Sequence, residues 1–156
     1  MAVIYLDTSA LVKYYVNEPG SKWLRQTVDF AQNSNVVCEI CLPEFVAALS
    51  RLHREGRFGQ RFVQTAYVRL LADLRQRVFL AHAVDRRTLD LAAALAIQYP
   101  LKAYDAVQLA ACILVQRQLQ SPVTFVCADR QALSAAALEG LSVDNPLLHR
   151  EEEPQP

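Results

Sequence analysis

The sequence predicts an α/β domain built on a central, mainly parallel sheet flanked by helices. Two observations carry that expectation. Short apolar runs alternate with helical stretches along most of the chain, the pattern of strand–helix–strand units. The clearest strand candidates, Val3 to Leu6 and Val123 to Val126, are apolar almost throughout rather than alternating, as in strands covered on both faces. The chain has 156 residues, close to the common domain size of about 100–150. A chain of this size buries roughly 68–70% of its unfolded surface and needs no staple. One domain is expected over residues 1–148, with residues 149–156 as a disordered acidic tail.

The elements follow in order. After Val3–Leu6, Asp7-Thr8-Ser9 leads into a helical run from Ala10 to Val16, broken by Pro19-Gly20. Ser21 suits the cap of a second helix reaching about Ala31, with Trp23, Leu24, Val28 and Ala31 on one face. Asn33-Ser34-Asn35 reads as a turn before a strand-like run within Val36 to Leu42. Pro43 suits the first turn of a helix carrying Phe45, Leu49 and Leu52 at helical spacing. Gly56 and Gly59 bracket a turn, and Phe62 to Leu74 reads as a long amphipathic helix. Val78 to Leu80 is a short strand candidate, Leu89 to Ile97 a helix closed by Pro100, and Asp105 the start of a helix to about Gln118. Asp129 opens a helix from Gln131 to Leu138, Gly140 ends it, and Leu141 to Val143 is a final strand.

Composition narrows the function classes. Apolar residues are 53% and charged residues 21%, which excludes disordered, collagen-like and low-complexity classes. No apolar run approaches the ~18 residues of a membrane span; the longest, Ala106 to Val115, is interrupted by Gln108. The start of the chain has no basic region, and Asp7 breaks its apolar run, which argues against a signal peptide and for the cytosol. Cys38 and Cys41 form one Cys-x-x-Cys without a second spaced pair, so the four cysteines read first as small buried hydrophobes, with zinc or redox chemistry as alternatives. The net charge of zero hides a segregation: residues 51–87 hold nine Arg and three acids, and the rest of the chain balances them. That stretch reads as a solvated arginine face or a surface for phosphates.

The acids at strand-to-helix junctions are the chemical signal. Asp7 follows the first strand, Glu44 lies in a first helical turn, and Asp105 and Asp129 stand at predicted helix starts. Each has an innocent role: Asp caps helices, Asp105 with Gln108 reads as a variant capping box, and Glu44 suits the helix dipole. In a parallel sheet, however, these junctions share one edge, where ligands bind. Clustered carboxylates repel unless a cation lies between them. With no His or Cys beside them in sequence, the expected ion is a hard one, Mg²⁺ or Mn²⁺, and a common use is phosphodiester hydrolysis.

The stretch from Leu6 to Tyr15 (LDTSALVKYY), then Glu18-Pro19-Gly20-Ser21, resembles the opening of a PIN domain. Leu42-Pro43-Glu44-Phe45 resembles that family's second acidic position, Lys102 to Ala111 its third, Phe125 to Arg130 its fourth, and Gly140 to Pro146 its ending. The ordered set covers roughly residues 3–146, and it looks most like the single-domain VapC-type toxins of toxin–antitoxin pairs. The resemblance implies a three-layer PIN-like fold and an Mg²⁺- or Mn²⁺-dependent endoribonuclease using metal-activated water, with 5′-phosphate and 3′-hydroxyl products. It implies Asp7 and Asp105 as direct metal ligands, Glu44 and Asp129 as ligands of a second ion or of water, and Ser9 as a supporting hydroxyl. Cys127 stands where the family often has Thr or Ser, and Gln108 where it often has His. Glu39, within a strand run, is the rival of Glu44; Asp144 reads as a turn residue.

The same resemblance implies an RNA substrate, a homodimer and a cognate antitoxin, whose peptide would lie in a groove near Leu11, Tyr14 and Tyr15 unless these pack in the core. Arg51, Arg54, Arg57 and Arg61 are candidate RNA contacts. The alternatives are an RNA-processing nuclease outside a toxin pair, a catalytically silent binding module, and an aspartyl phosphatase, which usually has a second Asp where Ser9 stands.

Overall fold

A computed structural model of the chain describes residues 2–28 and 33–149. Its sheet has five strands: β1 (Val3–Leu6), β2 (Ser34–Cys38), β3 (Leu80–His82), β4 (Val123–Val126) and β5 (Ser142–Asp144). Their order is β3-β2-β1-β4-β5, and every pairing is parallel. Val3 pairs with Ser34 on one side and with Val123 on the other, so β1 is the centre. The connections carry α1 (Thr8–Tyr15), α2 (Ser21–Val28), α3 (Cys41–Arg54), α4 (Gln60–Arg75), α5 (Arg86–Gln98), α6 (Ala103–Leu119) and α7 (Arg130–Leu138), and a 3₁₀ turn, Pro146–His149, follows β5.

Alternating strand side chains divide the interior into two layers. Ile4, Leu6, Val37 and Val126 face the α1–α4 side, where Leu11, Leu24, Phe45, Leu49 and Leu70 are fully buried. Tyr5, Val36, Phe125 and Cys127 face α5–α7 and pack on Leu109 and Cys112. At about 1.5–3 kcal/mol per large buried side chain, both layers are needed to offset chain entropy. Helix α6 is apolar nearly all round, as expected of a helix between a sheet and other helices. No helix among the described residues is long and apolar enough to cross a membrane.

Several boundaries differ from the sequence expectation. Helix α6 begins at Ala103 and α5 at Arg86, where the Asp85 carboxylate accepts the Thr88 N–H at 2.9 Å. The third strand is Leu80–His82, with Phe79 sunk into the core beside it. The strand-like run expected within Val36 to Leu42 is Ser34–Cys38, starting inside the expected turn Asn33-Ser34-Asn35, and Cys41 already starts α3. Described residues of the second helix end at Val28; its expected extension to Ala31 lies outside them. Asp144 ends β5 instead of forming a turn, and His149, expected in the tail, closes the 3₁₀ turn and stacks on Trp23 at 4.0 Å. The remaining tail, 150–156, lies outside the described residues.

This topology positions a site. From β1 the chain builds outward to β2 and β3, then returns to β4 on the opposite side of β1. The crevice beyond the carboxyl ends of β1 and β4 is therefore the switch point at which parallel α/β sheets bind ligands.

Candidate functional site at the sheet edge

Asp7 leaves β1 with its N–H still bonded to the Val126 carbonyl of β4 at 3.1 Å. Its extended backbone makes it the N-cap of α1, and Oδ1 accepts the Ala10 N–H at 3.0 Å. The Ser9 hydroxyl donates to the same oxygen at 2.7 Å, and the Cys127 thiol donates to Oδ2 at 3.0 Å. Ser9 Oγ in turn accepts the Ala128 N–H, and Cys127 Sγ accepts that of Asp129. Ser9 and Cys127 thus lace the end of β1 to the end of β4.

Glu44 comes in on the first turn of α3 from the β2 side. Its Oε1 accepts hydrogen bonds from Thr8 Oγ1 at 3.0 Å and from Gln108 Nε2 at 2.8 Å. Asp105 sits in the first turn of α6 and not at its cap, because Ala103 and Tyr104 precede it in the helix. Asp129 caps α7 with Oδ1 on the Ala132 N–H at 2.8 Å. Glu39, the rival of Glu44, is exposed after β2.

Electrostatics join the four carboxyls in series. Burial foremost, with the charge of Glu44 adding to it, lifts Asp7 from the usual 3.8 to about 6 against the pull of its Cys127, Ser9 and Ala10 hydrogen bonds. Glu44 is raised by burial and by the charge of Asp105, with Gln108 and Thr8 opposing. Asp105 is raised by burial and by Asp129, with Lys102 opposing. None of the four makes a salt bridge among the described residues. Their hydrogen-bond partners among the described residues are neutral side chains and backbone N–H groups, so no salt bridge offsets the negative charge of this edge, and Lys102 acts on Asp105 through its charge and a backbone hydrogen bond.

That donor set is all oxygen, which suits a hard divalent ion. Among the described residues, no three His, Cys, Asp or Glu side chains are grouped closely enough to hold a metal by themselves. Mg²⁺ does not require such a cage, since it commonly takes one or two carboxylates and completes its shell with water and phosphate. The residues fit an ion held openly at an edge and not one enclosed by protein. All four cysteines are buried and free, and burial pushes the Cys41 thiol up to about 12 and raises that of Cys127. They are protonated thiols at neutral pH.

The other sequence candidates lie elsewhere. Arg51, Arg54, Arg57 and Arg61 are exposed around the α3–α4 turn. Arg51 lies seven residues after Glu44 on α3, or ~10 Å along the helix axis. Leu11 is fully buried, while Tyr14 packs edge-on against Phe79 and Tyr15 against Phe45. Tyr15 also donates to Asp73 on α4 at 2.6 Å. Leu11 therefore serves the core, and the two half-buried tyrosines brace α1 against it. Sequence reasoning passed over Thr8, Tyr5 and the true partners of Gln108. The available signal was a lone amide inside the apolar run from Ala106 to Val115.

A model of the PIN domain matches residues 4–138. No curated protein matches the sequence at a significant level. Among solved structures, VapBC2 from Rickettsia felis, bound to a DNA fragment from its promoter, is 14% identical at a TM-score of 0.64, covering 92% of this chain and 98% of that one. PAE2754 from Pyrobaculum aerophilum is 18% identical at a TM-score of 0.62, covering 91% and 83%. VapC20 from Mycobacterium tuberculosis, a sarcin–ricin loop-cleaving toxin, is 18% identical at a TM-score of 0.62, covering 85% and 94%. At these identities the likeness is one of fold, and it agrees with the five-stranded parallel sheet and the helices on its two faces described above.

Proposed function

The chain belongs to the PIN domain family, and from that premise we propose that it is an Mg²⁺- or Mn²⁺-dependent endoribonuclease, the toxin of a type II toxin–antitoxin pair. The observation that carries the nuclease reading is the series of carboxyls, three of them with raised proton affinity, bonded only to neutral donors at the switch point. Such an arrangement is costly for an apo fold and becomes favourable when a cation is shared. Asp7 and Asp105 would hold the ion, with Glu44 and Asp129 serving a second ion or fixing water. When bound, the ion supplies charge that activates water and stabilises the phosphate oxygens during hydrolysis.

The chain's own groups do the rest. Ser9 and Cys127 fix the Asp7 carboxylate from both oxygens. Glu44 and Asp129 would orient an attacking water and take its proton as the P–O3′ bond breaks, and the departing 3′-oxygen would take a proton from solvent, giving a 5′-phosphate and a 3′-hydroxyl. The exposed arginines of the α3–α4 turn would attract the RNA backbone. The toxin reading draws support from the structural neighbours, several of which are toxin–antitoxin complexes, including one from Klebsiella pneumoniae. A protein antitoxin is proposed on the same ground, and a homodimer on the family resemblance alone.

The test is cleavage of total RNA by the purified chain with Mg²⁺ or Mn²⁺, with chelator, and with Asp105→Asn. Metal-dependent cutting abolished by the substitution supports the proposal. Absence of cutting by folded, antitoxin-free protein across both ions counts against it, as does cutting that survives chelation.

A further inference from the structure

Gln108 is 1% exposed in the middle of α6, flanked by Ala106, Val107, Leu109, Ala110 and Ala111, all buried. A leucine would fill that space without a polar group to satisfy. A buried amide costs stability unless it is fully bonded, and here every bond is directional. An ionised carboxylate only accepts, so the amide must present its NH₂ group to Glu44, and Nε2 donates to Oε1 at 2.8 Å. The amide carbonyl then faces Tyr5, whose phenol donates to it at 2.7 Å. Thr8 Oγ1 accepts a second N–H from the amide at 3.0 Å and passes its own O–H to Glu44 Oε1 at 3.0 Å. Tyr5 is itself fully buried in β1, stacked on Phe125 with ring centroids 5.8 Å apart.

The chain of donors runs one way, from the sheet core through α6 to the acidic edge, and it ends entirely on one oxygen. No donor among the described residues reaches Oε2. We propose that Gln108, oriented by Tyr5, is a positioning residue that pins Glu44 through Oε1 and so keeps Oε2 turned out for a divalent cation. This rests on the metal-dependent reading above and extends it to the residues that set the geometry of Glu44. Partners in this outer position typically change metal affinity or activity by about 10–100-fold when removed.

The experiment measures Mn²⁺ binding directly, by calorimetry, on the full chain and on Tyr5→Phe, Gln108→Leu and Gln108→His, with thermal melting of each metal-free protein. Tyr5→Phe removes one hydroxyl and keeps the ring stacking, so it stays folded even if Gln108→Leu does not. The expected result is Mn²⁺ binding weakened about 10-fold or more by Gln108→Leu and measurably by Tyr5→Phe. Gln108→His, which restores one acceptor and one donor, should recover most of the affinity. The RNA KM at saturating Mn²⁺ should stay unchanged. Folded Tyr5→Phe and Gln108→Leu proteins with wild-type Mn²⁺ affinity would overturn the assignment while leaving the nuclease reading intact. A wild-type chain that neither binds Mn²⁺ nor cuts RNA overturns both.

Discussion

Asp7→Asn should make the metal-free protein more stable while destroying its proposed activity. The Asp7 carboxyl is 5% exposed, and burial raises its pKa from 3.8 to about 6. A group that binds its proton more tightly when folded contributes stability that is complete below the unfolded pKa. That contribution is lost as pH rises through the folded value. At ~1.4 kcal/mol per tenfold, the rise from 3.8 to about 6 corresponds to on the order of 3 kcal/mol of strain at pH 7.5. Asparagine removes the charge and keeps Oδ1 for the Ala10 N–H and the Ser9 hydroxyl, and Asn and Asp are equivalent as N-caps. For a chain of this length about 1 kcal/mol moves Tm by roughly 2–4 °C, so Asp7→Asn should melt about 6–12 °C higher at pH 7.5 in chelator. Near pH 4 the gain should vanish, because the folded wild type is then already protonated. Mg²⁺ should raise the wild-type Tm and leave that of the variant in place. An Asp7→Asn protein melting at or below wild type at pH 7.5 would refute the argument that this carboxylate is buried without compensation.

Three further outcomes follow from named contacts. Cys127→Ser puts a stronger donor on Asp7 Oδ2, so the acid limb of the pH–rate profile should move down by under about one pH unit; an upward shift would contradict the bond. Reversing Arg54, Arg57 and Arg61 to Glu should weaken RNA binding and flatten its salt dependence by ~0.7 per lost phosphate contact, with Mn²⁺ affinity unchanged, as read by filter binding across salt. Gly20 has φ +88°, and an added Cβ there would collide with the Pro146 backbone, so Gly20→Ala should cost at least about 1–3 kcal/mol and loosen Trp23 from His149, seen as lower Tm and altered fluorescence of the single tryptophan.

The fold class was legible because β1 and β4 are continuous apolar runs, and because Asp7 and Asp129 mark the chain leaving a strand for a helix. Both residues proved to be helix caps, and this does not compete with a chemical role: capping occupies Oδ1 of Asp129 and leaves Oδ2 without a hydrogen-bond partner among the described residues. Strand order and register were not legible, since local pattern says which face a residue takes but not which strand it meets. The edge strand β3 was misplaced by two residues because its side chains are mostly exposed, and the buried Phe79 just before it carries the apolar signal. Asp105 was misread as a cap because Ala103 and Tyr104 give no start signal and Lys102 makes no side-chain cap. Gln108 stood out in sequence as a lone amide in an apolar run, but its partners Tyr5, Thr8 and Glu44 come from distant elements that local pattern does not connect.

The placement of positive charge bears on the proposed chemistry. A lysine or arginine paired directly with these acids would lower their proton affinity and stabilise the apo fold, yet it would also fill the space a cation needs; Lys102 lowers that of Asp105 through its charge, without a salt bridge among the described residues. The chain instead offers hydroxyls, a thiol, an amide and backbone N–H groups, which orient a carboxylate without neutralising it. Its arginines are concentrated in residues 51–87, and those of the α3–α4 turn begin ~10 Å along α3 from Glu44. At physiological ionic strength the screening length is ≈ 8 Å, so over that rise screening weakens the effect of these cations on Glu44. On the proposed function, stability is given up at the acidic edge and the arginines of the α3–α4 turn would attract phosphate. This is the division expected of a nuclease that carries its counter-charge as an ion and its substrate affinity as a separate surface.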